Sequence, residues 1–238
     1  MSDKNLYGLE KFGVIDIGLG VPVDIKYNYG YDNKYFFSEI SIGDDYKEKL
    51  EKFAEECETN QIKLEDAYIS INSENVICFY DDSNIIQGNF NYEIILWGFS
   101  YILGGVFNNN VSLYNVSSIE GKDVVFKSSV KLFGRSYMKT KTVEGNVELN
   151  DDACISEGTF NGEVLLKGRS VIEGGVFNGK VTLTDMAYID YGVFNGDVYL
   201  SDRSYINNGI FNGNVKLQDK SFFKCEKFKK SEVKNEDE

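Results

Sequence analysis

The chemistry open to this chain starts with its carboxylates, because it contains no histidine. That absence excludes an imidazole base, His-ligated zinc and His-ligated haem. Two adjacent pairs, Asp81-Asp82 and Asp151-Asp152, have the residue types of the acid and base in a polysaccharide-cleaving enzyme. Asp151, Asp185, Asp202 and Asp219 also recur in step, with Asp81 ahead of them, and stacked carboxylates could bridge Ca²⁺ through oxygen ligands. A plainer reading competes with both. Each pair is adjacent in sequence at a turn, with no basic or aromatic residues converging on it, and Arg203 and Lys220 one step on supply neutralising charge. Asp is common in turns for its own hydrogen bonding, and the turn reading is preferred. Cys57, Cys78, Cys154 and Cys225 show no metal spacing and are too sparse for a disulfide framework. No catalytic residue, metal ligand or cofactor is therefore expected.

The charge is strongly acidic and unevenly placed. Of the net −13, residues 1–70 carry −7, residues 71–140 only −1 and residues 141–225 −4. Asp44, Asp45, Glu48, Glu51, Glu55, Glu56 and Glu58 make up much of the first block. Direct nucleic-acid binding is disfavoured, since phosphate contacts need a basic face. An acidic surface can instead imitate nucleic acid and occupy a basic groove, although a solvated acidic helix explains the same residues. The start of the chain shows no apolar signal region, and no run has the length of a membrane span, so a reduced, cytoplasmic setting is expected.

What must position these residues is a repeat. Phe160, Phe177, Phe194 and Phe211 lie 17 residues apart, each within Gly-x-Phe-Asn-Gly-x-Val-x-Leu-x-x-x-Ser-x-Ile. The pattern runs back through 141–157, where Val143 replaces Phe, and through 124–140; residues 105–123 need two extra. It resumes over 88–104 and 71–87, and Ile62, Leu64, Ala67 and Ile69 suggest a partial unit before that. Seventeen residues are too few for a helix-pair repeat, and alternation within each unit marks short strands. The sequence thus predicts a mainly β fold: a parallel β-solenoid over 61–225 of about nine coils, about 43 Å long at the spacing of paired strands. Residues 1–60 should form a small α+β cap, with strands at 12–18, 21–28 and 34–42 and an amphipathic helix over 45–58, Asp44 at its N-cap. Residues 226–238 read as a charged tail, frayed beyond Phe228.

Stacked coils turn the repeat into columns. Phe, Val, Leu, the small Ser/Ala and Ile point inward. The Asn after each Phe should form an amide ladder along the rod. Tyr80, Trp97, Tyr114 and Phe133 form one outward aromatic column, beside Cys78 and Ile95, so coils 71–140 are far more apolar outside than coils 141–225. Either the N-terminal segment folds back over that surface or it is a partner or self-association interface anchored by Trp97 and Tyr114. A second column holds Tyr101, Tyr137, Tyr188, Tyr205 and Phe222, a strip suited to cross-strand stacking or to protein or sugar contact.

The Gly-x-Phe-x-Gly-x-Val-x-Leu pattern over 71–225 resembles bactofilins, a family of bacterial cytoskeletal β-helices. The resemblance implies a non-enzymatic, self-polymerising scaffold of stacked coils. The folded cap expected at residues 1–60 departs from that family's flexible termini and would block polymerisation at that end. The expectation is a non-catalytic protein-binding or structural scaffold. An acidic decoy inhibiting a basic nucleic-acid-binding protein is the alternative, and a carbohydrate-binding or carbohydrate-cleaving β-helix comes third.

Overall fold

The computed structural model describes residues 6, 8–17, 44–72, 75–224 and 233–235. It is a parallel β-solenoid of about nine coils. Each regular coil contributes three short strands, as in Ile94–Leu96, Tyr101–Ile102 and Val106–Phe107. Strands pair with equivalents one coil away, so Val164, Val181, Val198 and Val215 lie in one line and Leu166, Leu183, Leu200 and Leu217 in another. The two-residue insertion falls between Ile119, which still pairs with Ile102 at the regular spacing, and Val125, which pairs with Val106. The extra length buries Val124 in the core.

The interior is a stack of rings and branched side chains with no exposure. Phe90, Phe107 and Phe126 stack with centroids 4.9 and 5.0 Å apart. Phe160, Phe177, Phe194 and Phe211 form a second stack at 4.8, 4.9 and 4.8 Å. Val143, in the Phe position of the coil between, separates the two stacks. The inward serines are small enough to sit at a tight corner, where several bond back to the chain while the Ser136 and Ser170 hydroxyls find no partner among the described residues. Ser100, Ser117 and Ser204 each donate to the carbonyl three residues back, at 2.7–2.8 Å.

The corner after the Val-x-Leu strand requires a left-handed residue in every coil. Asp81, Gly98, Asn115, Gly134, Asp151, Gly168, Asp185, Asp202 and Asp219 occupy it with φ between 53° and 72°. Only Gly, Asn and Asp adopt that region at low cost, which is why this column contains nothing else.

The N-terminal end departs from the expected pattern in direction. Leu64, Ala67 and Ile69 are buried as anticipated, but Ala67–Ile71 runs antiparallel to Ile77–Tyr80, and Lys63–Glu65 antiparallel to Asn84–Gln87. The partial unit therefore runs in reverse against the first coil, joined to it by the hairpin of Ala67–Ile71 and Ile77–Tyr80. Val14–Ile17 pairs in parallel with Ala67–Ile71 and follows a 3₁₀ turn at Leu9–Phe12. The α-helix spans Asp44–Thr59, starting at Asp44 itself, and buries Leu50, Phe53 and Cys57 in the same core as the coils. The expected strands at 21–28 and 34–42 lie outside the described residues. At the other end the tail is not simply frayed. Val233–Asn235 forms one more parallel strand against Val215–Leu217.

Candidate functional site

The carboxylate columns prove to be held by the rod itself. Asp151 accepts from the Gly134 N–H one coil back at 3.0 Å, and Asp185 from Gly168 at 3.0 Å. Asp202 and Asp219 repeat the bond to Asp185 and Asp202 at 3.2 and 3.3 Å. Asp152 makes a two-point ion pair with Arg169, at 2.8 and 2.9 Å. Burial, then the adjacent Asp82, holds Asp81 above the ordinary carboxylate range. Asp81 and Asp151 stand four coils apart, about 19 Å, beyond the separation at which two carboxyl groups share a glycosidic bond. Among the described residues no group of three or more His, Cys, Asp or Glu could hold a metal ion.

The asparagine ladder forms as expected. Asn178, Asn195 and Asn212 each donate Nδ2–H to the Oδ1 of the Asn one coil back at 2.7 Å, and Asn108 donates to Asn91 at 2.8 Å. Asn161 donates to Glu144 instead, where the column changes residue type.

The outward aromatic column is brought together only in part. Trp97 and Tyr114 stack at 4.2 Å and Tyr114 and Phe133 at 4.7 Å, near-parallel in both cases. All three are half-buried, and the Trp97 indole N–H is buried without a hydrogen-bond acceptor. Phe99, at the adjoining corner, is 57% exposed. Tyr80 does not belong to this surface, contrary to its place in the column. It is buried with Cys78 and Val76 against Tyr68, and its hydroxyl shares a 2.6 Å hydrogen bond with Ser70. The reversed strand Ala67–Ile71 is the cause, since it lays Tyr68 and Ser70 opposite Tyr80 and Cys78. Burial raises the Tyr80 phenol and pushes the Cys78 thiol up to about 11.

In the second column only Tyr188, Tyr205 and Phe222 stack, at 4.9 and 5.1 Å. Ser118 stands between Tyr101 and Tyr137, and Cys154 and Val171 separate Tyr137 from Tyr188. Tyr137 bonds to Ser156 at 2.5 Å. Interplanar angles of 2–3° mean that Tyr205 gives both ring faces to its neighbours and presents its edge outward. One further aromatic escaped notice in the sequence. Lys180 and Lys216 lie 4.6 and 5.2 Å from the Tyr199 ring, in a shallow depression of about 170 Å³. Its signal was Thr182, Tyr199 and Lys216 occupying one outward column.

The acidic helix shows Asp45, Glu48, Glu51, Glu55 and Glu58 exposed; the Asp44 side chain is outside the described set. Lys49 pairs with Asp45 at 2.9 Å, while Lys47–Glu51 and Lys11–Glu58 are looser at 3.8 and 3.5 Å. Glu48 and Glu55 make no ion pair among the described residues.

No protein-family model, curated protein or solved structure matches this chain. The geometry of its own columns therefore carries the functional argument. No helix among the described residues is long and apolar enough to cross a membrane.

Proposed function

We propose that this protein is a non-catalytic scaffold that presents the outer columns of a capped β-solenoid to a protein partner, a second copy included. The observation behind this reading is the Trp97–Tyr114–Phe133 stack. It is a rigid, half-buried aromatic strip on the outside of the rod, next to the exposed Phe99, with a desolvated indole donor lacking an acceptor. Aromatic anchors of this kind dominate the energetics of protein interfaces. The bactofilin-like version, in which the partner is the same chain, is the self-association form of this proposal. The ring geometry weighs against sugar binding, because stacking on sugar needs an open ring face. The internal bonding of Asp151 to the Gly134 N–H and of Asp152 to Arg169 weighs against glycoside hydrolysis at that pair.

The test is association measured by sedimentation across a concentration series at low and high salt. Association should survive salt and weaken about thirtyfold in Trp97→Ala/Tyr114→Ala, the equivalent of about 2 kcal/mol at an interface hot spot. A chain that stays monomeric, and that captures no partner through these residues, overturns the reading. The exposed Glu48, Glu51, Glu55 and Glu58 stripe supports the decoy alternative. That reading requires capture of a basic partner that collapses with salt and with Glu51→Gln/Glu55→Gln/Glu58→Gln.

A further inference from the structure

One line of surface residues beside the aromatic strip carries opposite charges at its two ends. The residue after each left-handed corner follows its equivalent up the rod, because its N–H bonds to the corner carbonyl one coil back. Phe99 bonds to Asp81 in this way at 2.9 Å, Val116 to Gly98 at 3.2 Å and Arg135 to Asn115 at 2.6 Å. The line therefore reads Asp82, Phe99, Val116, Arg135 in successive coils, about 14 Å from end to end at the spacing of paired strands. Asp82 and Arg135 are exposed, and neither makes an ion pair among the described residues. Between them Phe99 is 57% exposed and Val116 half-buried. One coil further on the pattern ends, because Asp152 is taken up by Arg169 at 2.8 Å.

Such a line matches a copy of itself when the two rods run in opposite directions. A twofold axis perpendicular to the rod reverses the order of the coils, so Asp82 meets Arg135 at both ends and Phe99 meets Val116 in the middle. The Trp97 and Tyr114 levels of the two strips coincide under the same rotation. Parallel rods would instead set Asp82 on Asp82 and Arg135 on Arg135, and like charges facing each other are disfavoured. The corner also leaves room for the approach. Gly98, Asn115 and Gly134 occupy it in these coils, whereas Asp185, Asp202 and Asp219 give the far coils a row of carboxylates that would repel a second copy.

We infer that two copies of this chain pair side by side with their rods antiparallel, about an axis between the Phe99 and Val116 levels, Arg135 of each lying against Asp82 of the other. The inference rests on the reading of the aromatic strip as an interface and names its occupant. The pairing closes at two copies and leaves both ends of each rod outside the interface.

The experiment is sedimentation at matched concentrations and low salt, where exposed charges are least screened. It compares the full chain with Arg135→Asp, Asp82→Arg, the chain carrying both changes, and Trp97→Ala/Tyr114→Ala. Each single reversal sets like charges together twice in the dimer and should weaken association about tenfold. The double change exchanges the two charges and should restore association to within about threefold of the full chain. Arg135→Gln, which removes the charge alone, should weaken it about threefold and decides the matter if a reversal costs the β circular-dichroism signal. If Trp97→Ala/Tyr114→Ala weakens a dimer that the reversals leave alone, or the double change fails to restore it, the antiparallel pairing is overturned while the strip stands as an interface. A chain that is monomeric throughout also overturns the inference, and capture of another protein through Trp97 and Tyr114 then decides the scaffold reading separately.

Discussion

Phe177→Ala offers the sharpest test of how the rod is held together. Phe177 has no exposed surface and stacks on Phe160 at 4.8 Å and Phe194 at 4.9 Å. Removing a buried ring costs about 3–5 kcal/mol when the site cannot collapse. Collapse is opposed here because every strand around the cavity is pinned to the coils on both sides. Two ring–ring contacts vanish together, at about 0.5–1.5 kcal/mol each within that total. A loss of about 4 kcal/mol over a urea slope of about 2 kcal/mol/M lowers the unfolding midpoint by about 2 M. The comparison is Phe133→Ala, whose ring is half-buried and stacks on only one described neighbour, Tyr114. That change should cost about 1–2 kcal/mol. Because coils contact only their neighbours, hydrogen exchange should quicken first over residues 158–213 and least around Phe90. The reasoning is refuted if Phe177→Ala costs no more than Phe133→Ala, or if exchange quickens uniformly along the rod.

Two further outcomes follow from the corner column and the buried acids. Asp185→Ala forfeits both the left-handed preference at φ 58° and the bond to the Gly168 N–H, and should cost about 1–2 kcal/mol by thermal melt. Asp185→Gly should recover the conformational part of that loss; an equal loss in both variants would show that φ is immaterial. The second outcome is alkaline weakness. Burial pushes Cys78 up to about 11 and Cys57 and Cys154 up to about 12, against about 8.5 for a free thiol. A raised folded-state value leaves the stabilisation complete below about 8.5 and removes it as pH climbs toward the folded value, because the unfolded chain ionises first. The melting temperature should hold from pH 6 to about 8 and fall progressively above that. A flat profile to pH 11 would show that these thiols are solvated.

The solenoid was legible because its 17-residue period fixes register, and register fixes which columns face inward. Direction was not legible at the N-terminal end. Leu64, Ala67 and Ile69 bury one face of an extended chain whichever way it runs, so alternation alone cannot distinguish a coil from a hairpin. Tyr80 was misplaced for the same reason, since the reversed strand is what seals it. The tail strand was hidden differently. Phe228 and Val233 carried the spacing, but the lysines and glutamates around them carry the composition of a solvated terminus. The left-handed corner was legible as a turn from Asp alone, although Gly98, Asn115, Gly134 and Gly168 share it and show the cause more directly.

Several columns change at one level of the rod. The insertion ends at Val125, the outward stack ends at Phe133, Val143 interrupts the ring core, and Lys127 and Glu144 break the asparagine ladder. On the far side the coils are near-copies of one another; on the near side each is individual. Copying or deleting a far-side coil would move the C-terminal end by about 4.8 Å and leave Trp97, Tyr114 and Phe133 where they are. The rod thus has the geometry of a ruler: the distance between its aromatic patch and its last coil would change in single steps while the patch itself stayed the same.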